Sequence, residues 1–324
     1  MGHQNFAMVL SGVKDHIPPM SDDIRTEPPQ VASIRGLLFA VTAYSLWGVF
    51  PGFLKLLGHV PPAEVVSHRV IWSVPLAGAV LWWLGRTSDL KAAFSSPRTL
   101  LMAAMTAILI AVNWGIYIWA VVAGRTVEAA LGYYINPLVT VLMGVVLLGE
   151  RFSFPQVIAL ALAAIAVIIL TIDAGGLPWV SLVLASSFAA YGYLRKTLPI
   201  GPSQGFFLEV LLLSVPACAY VIWLQLNGQS HFLPSSPDDM ILLVLCGPVT
   251  AVPLLLYAFG AKLLPLTAIG LTQYIAPSLM LLIAVLVFGE TFDTVHQIAF
   301  GLIWVALFIY SWSMFSHRAV ASKP

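Results

Sequence analysis

The sequence predicts an all-α membrane protein in which ten transmembrane helices form two inverted five-helix repeats. Three observations carry that expectation. Hydrophobic residues make up 60% of the 324-residue chain and charged residues only 9%, against about 25% charged in soluble domains. Ten apolar segments come close to the roughly 20 residues that a bilayer crossing needs. Finally, LGYYINPLVTVLMGVVLLGERF from Leu131 returns as LTQYIAPSLMLLIAVLVFGETF from Leu271, 140 residues later. Tyr134, Pro137, Gly149 and Glu150 are matched by Tyr274, Pro277, Gly289 and Glu290, and nine of the 23 positions from Ala130 to Phe152 are identical to their mates. Five spans separate matched positions, an odd number, so the two copies cross the bilayer in opposite senses. That is the layout of secondary transporters, in which two similar bundles exchange conformations about an in-plane axis.

Along the chain, residues 1–33 carry Pro18, Pro19, Pro28 and Pro29 among mixed charges, and the apolar patch at 6–10 is too short for a secretory signal. This segment reads as a disordered cytosolic tail. The spans follow at 35–56, 64–84, 99–123, 127–148 and 154–173, then at 178–195, 205–226, 240–262, 266–288 and 294–315. They divide into a first repeat over 34–175 and a second over 176–316, with a cytosolic C-terminal tail over 317–324. With the N-terminus inside, Lys14, Arg25, Arg35, Arg86, Lys91, Arg98, Arg151, Arg195, Lys196, Lys262, Arg318 and Lys323 fall on the cytosolic side. Only Lys55 and Arg125 fall outside, the asymmetry that the positive-inside rule predicts.

The string AVTAYSLWGVFPGFLKLLGHVPPAEVVSHRVIWSVP, from Ala40 to Pro75, closely resembles the RarD branch of the drug/metabolite transporter superfamily. The paired segments from proline to Gly-Glu resemble the EamA repeat, and the resemblance runs from about Gly36 to His317. It implies a ten-helix transporter of the bacterial inner membrane, built from two EamA-type repeats and associated with chloramphenicol handling. It does not imply one substrate, because the superfamily carries amino acids, metabolites and drugs.

Arg69 is the most informative charge. It lies about five residues, roughly 7 Å, inside the second span, where an unpaired cation is costly. Two readings fit, a substrate site or gate and an anchor that snorkels to the interface. His68 shares a helical face with Glu64 and Trp72 and is either a titrating group or a packed histidine. Glu209, a turn into the seventh span, is the repeat mate of Arg69. The pseudo-axis puts the two at different depths, as two gates, although an interfacial carboxylate reaching cytosolic water is the competing reading. Asn113, Trp114, Tyr117, Tyr133, Tyr134, Asn136, Tyr257, Gln273 and Tyr274 supply polar and aromatic side chains to the third, fourth, eighth and ninth spans. Buried amides need partners, so these residues should face the bundle interior and line a cavity or bond neighbouring helices. Trp47 and Tyr191 occupy matching places in the first spans of the two halves.

Pro51, Pro75, Pro137, Pro216, Pro253 and Pro277 lie inside spans, and the repeated Pro137 and Pro277 are the candidate hinges. Glu150 and Glu290 close their apolar runs and are assigned to the N-terminus of the following helix, where a carboxylate suits the helix dipole. Cys218 and Cys246 read as packed side chains and offer neither a disulfide framework nor a metal cluster. The net charge of +1 leaves no basic surface for nucleic acid. GPSQG at 201–205 matches the letters of a nucleophile elbow, but no strand precedes it and no triad partners lie near. The chain therefore reads as a non-enzyme without cofactor or metal, with a non-transporting membrane enzyme or sensor as the competing reading. Its partners are the bilayer and a small organic solute, metabolite or drug-like, moved by alternating access and coupled either to protons or to nothing.

Overall fold

The computed structural model describes residues 29–83, 85, 87, 90, 93–148, 154–173, 176–263 and 272–321. Gly149 and Glu150, most of the N-terminal tail and the start of the ninth apolar run lie outside the described residues. Within them the fold is helical: α1 Pro29–Leu56, α2 Pro62–Trp83, α3 Pro97–Val122, α4 Thr126–Leu148 and α5 Phe154–Asp173. These are followed by α6 Trp179–Thr197, α7 Pro202–Leu226, α8 Pro237–Leu263, α9 Ile275–Leu282 and α10 Thr294–Ala321. Helix α9 ends in a π-helical turn over Ile283–Val287. Among the described residues, five helices are long and apolar enough to cross a membrane: those at Ile34–Leu56, Pro62–Trp83, Pro97–Val122, Ser203–Leu226 and Pro237–Tyr257.

Local chemistry sets the boundaries. Ser96 caps α3 by accepting from the Thr99 N–H at 3.3 Å, and Pro97 opens the helix where its missing donor costs nothing. Pro202 opens α7 in the same way, which places GPSQG at a helix start. Asp293 accepts from the His296 N–H at 3.0 Å and caps α10; that backbone bond and the His296 ring hold its carboxyl below the usual range. Two expected boundaries move. Helix α1 starts at Pro29, inside the expected tail, because proline is well placed in a first turn. Helix α10 continues to Ala321, past the expected end at 315.

The expected role of Glu290 is corrected. Its carboxylate accepts from the backbone N–H groups of Thr126 at 3.0 Å and Val127 at 2.8 Å, so it caps α4 rather than the helix that follows it. Asp293 already serves α10, whereas α4 is preceded by Arg125, which has no acceptor to offer. Gly124 (φ 71°) and Gly289 (φ 68°) are left-handed and supply the tight turns that bring these ends together.

Helix α1 packs on α8 and α9, α2 on α7 and α8, and α3 on α6 and α7. Helix α4 packs on α6 and α9, and α5 on α10. Close approach depends on small residues, such as Gly132 of α4 facing the Ser181 backbone of α6. The burial pattern is inverted relative to a water-soluble protein. Trp82, Ile172, Val215, Leu226 and Leu286 stand on the outside, while Glu64, Arg69, Asn113 and Glu209 are buried. Cys218 is also exposed, contrary to expectation, and only Cys246 is packed.

Candidate functional site

The structure places the predicted polar residues in three neighbouring groups. The first surrounds Arg69, which is 5% exposed. Its Nε donates to the Thr250 hydroxyl of α8 at 2.7 Å. The guanidinium lies 4.1 Å from the Trp114 ring centre and 4.9 Å from that of Phe50. Those ring faces lower the cost of the buried charge, which a snorkelling anchor at the interface would not need. The Phe50 ring stacks on Tyr117, whose ring meets Tyr133 edge-on at 5.8 Å. Arg69 Nη1 and the Tyr117 hydroxyl are buried without a hydrogen-bond partner. Asn113 is fully engaged: its amide donates to the Leu184 carbonyl and Ser187 hydroxyl of α6, and its oxygen accepts from Tyr133. It therefore fastens α3 to α6 and positions Tyr133.

The second group surrounds Glu209 of α7, which is 1% exposed and so does not reach water. Tyr191 donates to Oε2 at 3.1 Å. Arg195 Nη1 lies 3.3 Å from Oε1, in ion-pair range but without hydrogen-bond alignment. Arg195 is thus no loop cation but part of the buried network. It fits because Gly205 has no side chain: a Cβ there would overlap the guanidinium. On the α1–α8 side, Tyr257 meets Trp47 and Tyr44 at ring separations of 5.8 Å each. Tyr44 is a residue that the sequence reading did not single out.

The third group is the seam of α4, α9 and α10. The repeat mates Tyr134 and Tyr274 stack on one another at 6.4 Å, and the Tyr134 hydroxyl shares a 2.6 Å hydrogen bond with Ser278. Phe300 and Trp304 complete this packing. Pro137 and Pro277 are buried near the pair. Asn136 is half-buried with an unpartnered Oδ1, and Gln273 lies half-buried in the turn before α9. Tyr134 and Tyr274 therefore sit apart from Arg69.

Beside the first group, Trp72 Nε1 donates to His68 Nδ1 at 3.2 Å, and the Phe232 ring packs tilted against the His68 ring at 4.9 Å. One turn earlier, fully buried Glu64 accepts from the His231 backbone at 2.8 Å and meets the His231 ring at 2.7 Å. This contact folds the α7–α8 connection over the start of α2. Phe50, Glu64, Thr250 and His231 were not predicted as site residues, although a polar threonine between Pro248 and Pro253 of an apolar run was a usable signal for Thr250. Among the described residues, no group of three or more His, Cys, Asp or Glu side chains is placed to hold a metal ion.

Residues 34–172 match the EamA-like transporter family. The chain is 41% identical to the protein RarD of Streptomyces exfoliatus over 86% of its own length and 88% of that protein's. The chain belongs to the RarD branch of the EamA-like transporter family. It is 43% identical to an uncharacterized transporter of Vibrio cholerae, across 88% of this chain and 94% of that one. The chloramphenicol-sensitive protein RarD of Pseudomonas aeruginosa is 34% identical, with 86% and 94% covered. A solved crystal structure 18% identical in sequence shares the fold at a TM-score of 0.53, covering 90% of this chain and 99% of that one. Membership of the RarD branch makes the chain a multi-pass membrane transporter of small solutes.

Proposed function

We propose that this chain is a secondary transporter that carries a small organic solute across the bacterial inner membrane by alternating access. The moving parts are two inverted halves of five spans each, residues 34–175 and 176–316, with both termini in the cytosol. One observation carries the reading. Glu290, near the end of the second copy of the repeat, seats on the first turn of α4, where the first copy begins. Because α4 and α9 also pack side by side, with Tyr134 against Tyr274, this contact between the end of one copy and the start of the other supports opposite directions for the two. The helix pairing supports the same symmetry: exchanging each helix with the one five places away turns α1–α8 into α6–α3 and α1–α9 into α6–α4. The pairs α2–α7, α4–α9 and α5–α10 map onto themselves. The repeat mates follow suit, since Arg69 meets α1, α3 and α8 while Glu209 meets α6.

Arg69 and Glu209, with the tyrosines and tryptophans around them, form the two gates of the transport path. Pro137 and Pro277 supply the hinges at the α4–α9 seam, where helices lacking one backbone bond bend at low cost. The solute is a metabolite or a drug-like molecule, and the name of the Pseudomonas relative makes chloramphenicol one solute to be tried. Glu209 carries the proton if transport is coupled. Counterflow in proteoliposomes tests the assignment. Preloaded unlabelled solute is expected to drive uptake of labelled solute, an imposed pH gradient to change that flux, and Glu209→Gln to remove the pH response while flux persists. Flux indifferent to pH in the wild type excludes the coupling, and absence of counterflow for every solute tried excludes transport.

A further inference from the structure

The Arg69 nook has a chemistry that narrows the solute, if the transporter reading above holds. Among the described residues, no carboxylate lies in ion-pair contact with this guanidinium. The neighbouring buried acids are committed elsewhere, Glu64 to His231 and Glu209 to Arg195 and Tyr191. The Thr250 hydroxyl that receives Arg69 Nε itself donates to the Cys246 carbonyl, so it adds no negative charge. What remains is one buried guanidinium nitrogen and one buried phenol hydroxyl without partners, on side chains that flank the same Phe50 ring. A buried cation left without a counter-charge is costly, as is each buried donor left unpaired.

We propose that Arg69 and Tyr117 form an oxyanion site, and that the transported solute is an organic anion whose carboxylate or phosphate binds Nη1 and the Tyr117 hydroxyl. The rings of Phe50, Trp114 and Tyr133 take its flat apolar body. An arriving oxyanion supplies the acceptor that the protein lacks, and a charge-assisted bond in a water-poor site is strong. Asn113 has no free group to offer and acts by holding Tyr133. Neutral solutes of the same shape lack the element that the site selects.

The test uses the full chain in lipid nanodiscs and matched solute pairs: benzoate with benzamide, indole-3-acetate with indole-3-acetamide, and phenyl phosphate with anisole. Chloramphenicol serves as a further neutral probe. At least one anion is expected to raise the unfolding temperature where its neutral mate does not, since a ligand stabilises according to its occupancy. Arg69→Gln, and independently Tyr117→Phe, which keeps the ring on Phe50, should each weaken that anion roughly tenfold or more. Stabilisation by the neutral mates to the same degree, full affinity in both variants, the whole shift from chloride or inorganic phosphate alone, or no shift from any anion would overturn the proposal. Counterflow separates the two levels. Solute exchange that survives Arg69→Gln leaves transport standing and removes the anion site. Anion binding that needs Arg69 without any exchange leaves the site and removes transport.

Discussion

Arg195→Met is expected to destabilise the folded protein by about 3 to 5 kcal/mol, the range for stripping one partner from a buried ion pair. Glu209 is 2% exposed at its side chain and Arg195 17%, so water cannot replace the lost guanidinium. The Tyr191 hydroxyl alone cannot neutralise a carboxylate held between α6 and α7. The measurement is unfolding by denaturant in mild detergent, with Arg195→Met, Glu209→Leu and the double variant compared in one cycle. The double variant should recover most of the loss, because it leaves no unpaired charge. Additive losses would show that the pair contributes through packing and not through charge.

Gly247→Ala is expected to cost about 3 kcal/mol, the upper part of the usual range for overpacking. The added Cβ would stand 2.6 Å from the Trp72 Cβ and overlap the Trp72 carbonyl, so backbone and not a flexible tip must move. Separating α2 from α8 also stretches the 2.7 Å bond from Arg69 to Thr250, which joins those two helices. Loss of stability and loss of transport should therefore appear together. Gly115→Ala is the control: nothing lies within 4 Å of its added Cβ, and the change should be neutral or gain up to about 1 kcal/mol of helix propensity. Equal unfolding of the two variants would mean that α2 and α8 do not approach so closely.

Much of this arrangement was legible in the sequence because it follows from local pattern. Apolar length located the helices, and the Pro-to-Gly-Glu repeat located the segments that meet at the α4–α9 seam. The depth of Arg69 marked a buried cation whose cost needs an explanation. What was not legible depends on long-range pairing. Glu64 and His231 are 167 positions apart, and His231 lies in a connection whose path no helical periodicity encodes. Arg195 read as a cytosolic loop cation, because nothing in the sequence reveals that Gly205 opens a path for it toward Glu209. The carboxylate of Glu290 was assigned to the nearest helix start in sequence, but the turn at Gly289 aims it at another. The aromatic residues read as one wall. Adjacent Tyr133 and Tyr134 point to different sides of α4, so the wall divides between the Arg69 nook and the α4–α9–α10 seam.

The inverted arrangement of the halves is the claim on which the gates and the hinges depend, and single-cysteine accessibility in oriented membrane vesicles tests it most directly. In a Cys218→Ser, Cys246→Ala background, cysteines replace the repeat mates Arg151 and Thr291, one at a time, and a membrane-impermeant maleimide is applied from either face. The inverted arrangement predicts labelling of the two positions from opposite faces, Arg151→Cys from the cytosolic side and Thr291→Cys from the outer side. Labelling of both from the same face would contradict it.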